Sequence, residues 1–356
     1  MKCRQLIPLL ALTYVAVGCG GSGNSEPTTS GAVFITDSLD THDHVWVVIT
    51  KITLTSATGA TVDVFNDSDG KTVDLKTLRD PAGERYAFFG KVRSGSYTAV
   101  MVTVDKDLVL FESGSSTGLA REFAGNNGTT AELALTFASP RPIGPATPFA
   151  LDFDLTNWTD NGVTVTGSPF LIEGSGVAIG NMDRHERGNL HGTVRDLTGT
   201  APNQTFRLDM SNTADIAVTT NSETVIGGIS SLSNGQRVRV RGAFSTSANA
   251  FIATSIYAEE EDETPLIEGS VTSFNALDLS FDLDVEEVEF MLPMFAEVHV
   301  VTNEATVFLN AQGQVATSTD FFLALVLGNR LEAKGSYSVE TNTMTATRVE
   351  FADEEN

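Results

Sequence analysis

Val45-Trp46-Val47-Val48-Ile49-Thr50-Lys51-Ile52-Thr53-Leu54 is the stretch from which the fold is read. Its later part alternates apolar and polar residues, and a period of two puts successive side chains on opposite faces of a β-strand. Runs of the same kind lie around it at 32–36, 61–65, 72–75, 96–104, 108–111, 131–137, 149–155 and 163–172, rich in Val, Thr, Phe and Ile and broken by Gly, Asn, Ser and Asp. Long apolar stripes of helical period are missing. Two half-apolar sheets bury their faces by packing together, so the pattern predicts a β-sandwich over residues 31–180.

With 356 residues and 41% hydrophobic content, the chain is large enough for two or three domains of about 150 residues. Asp and Glu number 46 against 22 Lys and Arg, a net charge of −24. Such a field repels nucleic-acid phosphates, which excludes nucleic acid as a partner. Divalent cations and cationic partners stay compatible, as does a surface that is acidic only for solubility.

At the N-terminus, Lys2 and Arg4 precede an apolar run from Leu6 that closes on Ala16-Val17-Gly18-Cys19. The run is shorter than the about 20 residues a membrane span needs, and a basic start, apolar middle and small-residue exit are the parts of an export signal. The exit resembles the bacterial lipobox, with Ala16 a weaker match and Val17 and Gly18 good ones. The expectation is a signal peptide over 1–18, lipidation of Cys19, and a Gly/Ser-rich tether over 19–30 with a reach of roughly 15–20 Å. By the same resemblance, Gly20 after the cysteine implies export to the bacterial outer membrane, and a Gram-positive host implies the plasma membrane. Cys3 is lost with the signal, so the mature chain carries no disulfide and its domains must hold by packing.

Ile35-Thr36-Asp37, Asp43-His44-Val45-Trp46-Val47, Thr72-Val73-Asp74-Leu75, Gly95-Ser96-Tyr97-Thr98 and Leu151-Asp152-Phe153-Asp154-Leu155 give the N-terminal domain its likeness to a bacterial lipoprotein family. The domain resembles domain of unknown function 4382, a family without an established activity, so the resemblance implies secretion and fold more than chemistry.

From residue 181 the chain repeats. His191-Gly192-Thr193-Val194, Phe206-Arg207-Leu208-Asp209, Thr220-Asn221-Ser222-Glu223-Thr224-Val225, Gly235-Gln236-Arg237-Val238-Arg239-Val240-Arg241-Gly242 and Ala253-Thr254-Ser255-Ile256 recur in order. Their counterparts are Glu268-Gly269-Ser270-Val271, Phe281-Asp282-Leu283-Asp284, Thr302-Asn303-Glu304-Ala305-Thr306-Val307, Gly328-Asn329-Arg330-Leu331-Glu332-Ala333-Lys334-Gly335 and Ala346-Thr347-Arg348-Val349. About five short strands per copy suit a small OB-like barrel, giving tandem barrels over 181–263 and 264–356. The pair resembles domain of unknown function 5666. The second copy adds Leu292–Phe295 and Leu309–Phe322, where the two surfaces would differ. The acidic runs at 259–263 and 353–355 read as a linker and tail that keep the barrels apart and solvated.

Candidate sites are few. His42 and His44 would share a face of an extended strand near Asp37, Asp40 and Asp43, a set able to take zinc or copper, or else to shape a turn. Asp67 and Asp69 in Asn66-Asp67-Ser68-Asp69-Gly70 offer oxygens to calcium, although Phe65 stands where an EF-hand needs its first ligand, and an Asx-rich hairpin turn is the plainer reading. His185 and His191 border the hinge with Asp183 and Glu186, a solvated linker or a metal site. Arg237, Arg239 and Arg241 line one strand face, either gripping an anion or oligosaccharide or simply exposed.

Gly114-Ser115-Ser116-Thr117-Gly118 fits a hydrolase elbow only in spelling, since that motif needs a strand before it and a helix after it. Gly174–Gly180 has the wrong spacing for a phosphate loop. The sequence thus leads to an acyl-anchored envelope lipoprotein, not an enzyme, with no cofactor. It touches the membrane through its N-terminal lipid, and its role is either to bind an envelope protein or saccharide or to serve as a structural part of the envelope. The alternative is a calcium- or transition-metal-binding surface protein.

Overall fold

The computed structural model describes residues 30–36, 42–77, 87–144, 147, 149–153, 155–167, 170–172, 188–210, 215–227, 229–245, 248–258 and 264–352. The expected signal peptide, Cys19, the tether up to residue 29, the 181–187 hinge with His185, and the acidic runs at 259–263 and 353–355 lie outside the described residues. The fold is all-β as the pattern predicts: twenty-four strands and a single α-helix among the described residues.

The N-terminal sandwich has a small and a large sheet. β1 (Ser30–Thr36), β4 (Ala87–Arg93), β8 (Phe149–Asp152) and β11 (Phe170–Ile172) make the small one, in the order β11-β8-β1-β4. The large one is built on β2 (His42–Ser56), β3 (Thr61–Asp74), β5 (Gly95–Glu112) and β6 (Leu119–Phe123), with β7 (Thr130–Ile143) on β5 and β9 (Thr159–Asp160) and β10 (Thr164–Thr166) beyond β6. Val33, Ile35, Phe89 and Leu151 from one sheet and Val47, Ile52, Val102 and Leu108 from the other share one buried core.

β2 is apolar on both faces in its first half for a reason. Val45, Val47 and Ile49 turn into the sandwich, while Trp46 points outward and joins Val109 and Phe111 in the core of the C-terminal barrel. A bulge around Thr50 then shifts the register, so the inward set continues as Ile52 and Leu54.

Both repeats are closed five-stranded barrels. The first comprises β12 (Gly188–Thr200), β13 (Asn203–Asp209), β14 (Ile216–Thr219), β16 (Arg237–Ser245) and β17 (Ala250–Ala258), with β15 (Val225–Gly227) added beside β17. The second comprises β18 (Leu266–Asn275), β19 (Ser280–Glu289), β20 (Glu297–Val301), β23 (Arg330–Ser338) and β24 (Thr343–Phe351), with β21 (Val307–Leu309) and β22 (Val315–Ala316) beside β24. Parallel pairing of β14 with β17, and of β20 with β24, closes each ring in the OB order.

The recurring residues have recurring jobs. Thr224 Oγ1 accepts from Asn221 N at 2.9 Å and donates to Ala253 O at 2.8 Å; Thr306 Oγ1 accepts from Asn303 N at 2.9 Å and donates to Ala346 O at 2.7 Å. Gly242 and Gly335 stand where a Cβ would run into the carbonyl oxygens of Ile252 and Thr345.

The insertions of the second copy touch other parts of the chain, although much of Leu309–Phe322 remains exposed. Thr317 caps α1 (Ser318–Ala324) by accepting from Asp320 N at 3.1 Å. Phe321 and Phe322 are thereby turned onto Phe308, closing the barrel end. The Gly313 turn abuts Gly227 of the first barrel. Residues 292–295 reach the sandwich, where Thr117 bridges Phe295 and Gly118 N donates to Met294 O at 2.9 Å. The first barrel meets the small sheet through Ala32 and Ala150, and buried Lys91 donates to Asn249 O at 3.4 Å. The three units are therefore packed on one another, not spaced apart.

Candidate ligand cleft

A cleft of about 310 Å³ opens where the sandwich and both barrels meet. That volume falls within the roughly 300–1,000 Å³ of small-molecule sites. β3 supplies the sandwich wall. Both of its halves pair with β2, Lys51 opposite Asn66 and Ile49 opposite Lys71, so residues 67–70 bulge out of one strand and do not form the hairpin turn the sequence suggests. Gly70, at φ +76°, permits the return. Asp67 and Asp69 stand exposed on this rim, with Asp69 N donating to Asp67 Oδ1 at 3.1 Å. Behind them Phe65 meets Phe89 edge-on at 5.2 Å, and the Lys71 ammonium lies 5.2 Å from the Phe89 ring centre.

The first barrel contributes His191 and Thr193 from β12, Asp209 from the end of β13 and Met210 just after it, and Arg237 from the start of β16. The second contributes Glu287 and Glu289 from β19, and Phe290 just after it. Phe290 holds φ +57°, a left-handed conformation rare for a bulky residue, with its ring edge-on to His191 at 6.4 Å.

His191 Nε2 lies 3.4 Å from Glu289 Oε1. Burial alone would raise the Glu289 carboxyl, but His191 and Arg239 outweigh it and bring it down to about 2, so Glu289 is ionised at neutral pH beside its cationic partners.

The predicted strand histidines part company. A register shift between His42 and His44 turns His42 toward Val45, Leu110 and Trp158 on the sandwich side. His44 instead sits between Trp46 and Phe111 on the other face, so the shared face expected of an unbroken strand does not form. Its Nδ1 is 2.7 Å from Asp74 Oδ2, while Asp74 Oδ1 accepts from Val45 N at 2.9 Å and Lys76 N at 3.0 Å. The Asp74 bond holds the His44 pKa above its usual value against burial. Asp43 accepts from Gly114 N at 2.6 Å, bracing the Gly114–Gly118 hairpin. Among the described residues no three His, Cys, Asp or Glu side chains converge to hold a metal ion.

Arg239 and Arg241 are not on a free face. They enter a buried ionic layer between the barrels: Arg239 Nη2 is 2.6 Å from Glu332 Oε1 and 3.2 Å from Glu350 Oε1, and Arg241 Nη2 is 2.6 Å from Glu332 Oε2 and also pairs with Glu268. Arg330 reaches Glu268 at 2.9 Å, and Arg348 reaches Glu332 at 3.1 Å. Burial opposes the charge on Glu332, but Arg239, Arg241 and Arg348 hold it well below the carboxylate range. Burial first, then the Glu332 charge, pushes Glu350 up to about 8.

Residues 28–159 match the family described as Domain of unknown function (DUF4382), and residues 191–257 and 268–350 both match Domain of unknown function (DUF5666). The chain joins one DUF4382 domain to two DUF5666 domains. No curated protein matches it. The cleft takes Asp67 and Asp69 from the DUF4382 domain, His191 and Asp209 from the first DUF5666 domain, and Glu287 and Glu289 from the second. Sequence reading reached Asp67, Asp69, His191 and Arg237 but missed Glu287, Glu289 and Phe290. One signal for them existed: where copy one breaks off at Asp209-Met210, copy two runs on through Val285-Glu286-Glu287-Val288-Glu289.

Proposed function

We propose that the protein is an acyl-anchored bacterial envelope lipoprotein with a non-catalytic binding role, its ligand held in the three-domain cleft. The cleft carries this reading: preformed, of small-molecule size, and walled by polar groups over an aromatic base. The non-catalytic part is supported by the Gly114–Gly118 segment, which joins β5 directly to β6 and so lacks the helix that must follow a hydrolase elbow. Anchoring rests on the Ala16-Val17-Gly18-Cys19 exit and the outer-membrane address on Gly20. Cys19→Ala tests the anchor: the variant leaves the membrane fraction, and a variant that still sediments with membranes overturns it. Ligand-observed NMR with a library of small polar and aromatic compounds tests the cleft: hits are lost in Phe290→Ala and Asp69→Arg variants of unchanged melting temperature.

A second reading keeps Asp67 and Asp69 for a divalent cation, because both carboxylates stand exposed on the rim of the cleft. Calorimetry with calcium chloride decides it; no heat at millimolar calcium ends that reading.

A further inference from the structure

We propose that the cleft takes an organic cation, an ammonium or guanidinium group carried on an apolar stem. This deepens the binding reading above and rests on it. Three observations converge. First, carboxylates reach the cleft from all three domains: Asp67 and Asp69, Asp209, and Glu287 and Glu289, against Lys71, Arg237 and His191. Asp209 is shared with Arg195 and Glu289 with His191, yet the acids still exceed the bases. A concave wall of one prevailing sign concentrates field lines, and the net charge of −24 adds to the same potential.

Second, the base is aromatic and apolar: Phe65, Phe89, Phe290 and Met210. Phe89 is itself buried and already holds the Lys71 ammonium over its face at 5.2 Å, so Phe65 and Phe290 are the rings left to a ligand cation. Third, about 310 Å³ admits an amine with a stem of several carbons. A bare metal ion would leave the aromatic wall without a partner, and an anion would meet the carboxylates.

The test titrates the full-length protein in detergent with 1,6-diaminohexane and, as neutral counterpart, 1,6-hexanediol and maltose. The diamine is expected to saturate at least about 10-fold more tightly than the diol, and the Asp67→Asn/Asp69→Asn double variant to weaken it roughly 3–10-fold at unchanged melting temperature. Binding of the diol or maltose as tight as the diamine overturns the cationic class and leaves the cleft reading standing. Diamine binding untouched by the double variant places the cation elsewhere on the acidic surface and overturns the proposal. Failure of all three probes to saturate by about 10 mM overturns the cationic class, and the NMR library then decides the cleft reading separately.

Discussion

The two barrels have the same ring of strands, the same Asn–Thr brace and the same crowded glycines, and they differ in the charge of one strand. Aligned on Gly242 and Gly335, Arg239 of the first copy corresponds to Glu332 of the second, and these two residues bind each other at 2.6 Å. Copy thus meets copy through equivalent positions, as in an isologous interface, with the sign reversed on one side. Identical copies would set arginine against arginine. What is shared between the barrels builds each barrel; what differs joins them to each other and to the sandwich.

The hardest blow to this comparison is Glu332→Ala. It leaves Arg239 and Arg241 buried without their common carboxylate, and removing one partner of a buried ion set costs about 3–5 kcal/mol. Urea unfolding should show that loss, whereas the exchanged pair Arg239→Glu/Glu332→Arg should recover part of it; equal losses in both would mean the charge pairing is incidental.

Titration comes next. Glu350 is raised to about 8 from the usual 4.5, so the folded state holds a proton the unfolded chain has released, and stability falls as pH rises from about 4.5 to 8. Glu332 and Glu289 are lowered, so their contribution is present above 4.5 and is lost as pH falls toward their folded values. Melting temperature against pH should therefore peak in the mildly acidic range, and Glu350→Gln should flatten the alkaline side by up to a few kcal/mol. A wild-type profile unchanged by that substitution would refute the assignment.

Smaller effects test what the barrels share. Gly242→Ala and Gly335→Ala should each destabilise by about 1–3 kcal/mol, as overpacking does. Thr224→Val and Thr306→Val should each cost about 0.5–1.5 kcal/mol. Thermal unfolding of each matched pair checks the equivalence; a large cost in one barrel alone would show that the repeats have diverged in their architecture as well as in their contacts.

The strands were legible because a period-two pattern is local, and Val45–Leu54 displays it in ten residues. The barrels were legible because five ordered blocks recur. The site was legible only in fragments. Asp67 and Asp69 stand out as an Asx cluster, but their loop is a bulge, because the register of β3 depends on β2. His42 and His44 fail to share a face for the same reason: one extra residue in a strand reverses every side chain beyond it. Of the three arginines of β16, Arg237 is exposed as the sequence reads it, whereas Arg239 and Arg241 are covered, because alternation shows two faces and not what covers each.

By itself the sequence determined the all-β class, the sandwich-then-repeat order and the families, since these follow from local periodicity and from resemblance between segments. Tertiary structure alone decided that the three units pack together, that Arg239 meets Glu332, and that acids from three domains face one cleft. Arg239 and Glu332 lie 93 positions apart, and Asp67 and Glu289, which line the same cleft, lie 222 apart. Their pairing is set by which sheet faces are left to cover, a quantity no local pattern contains.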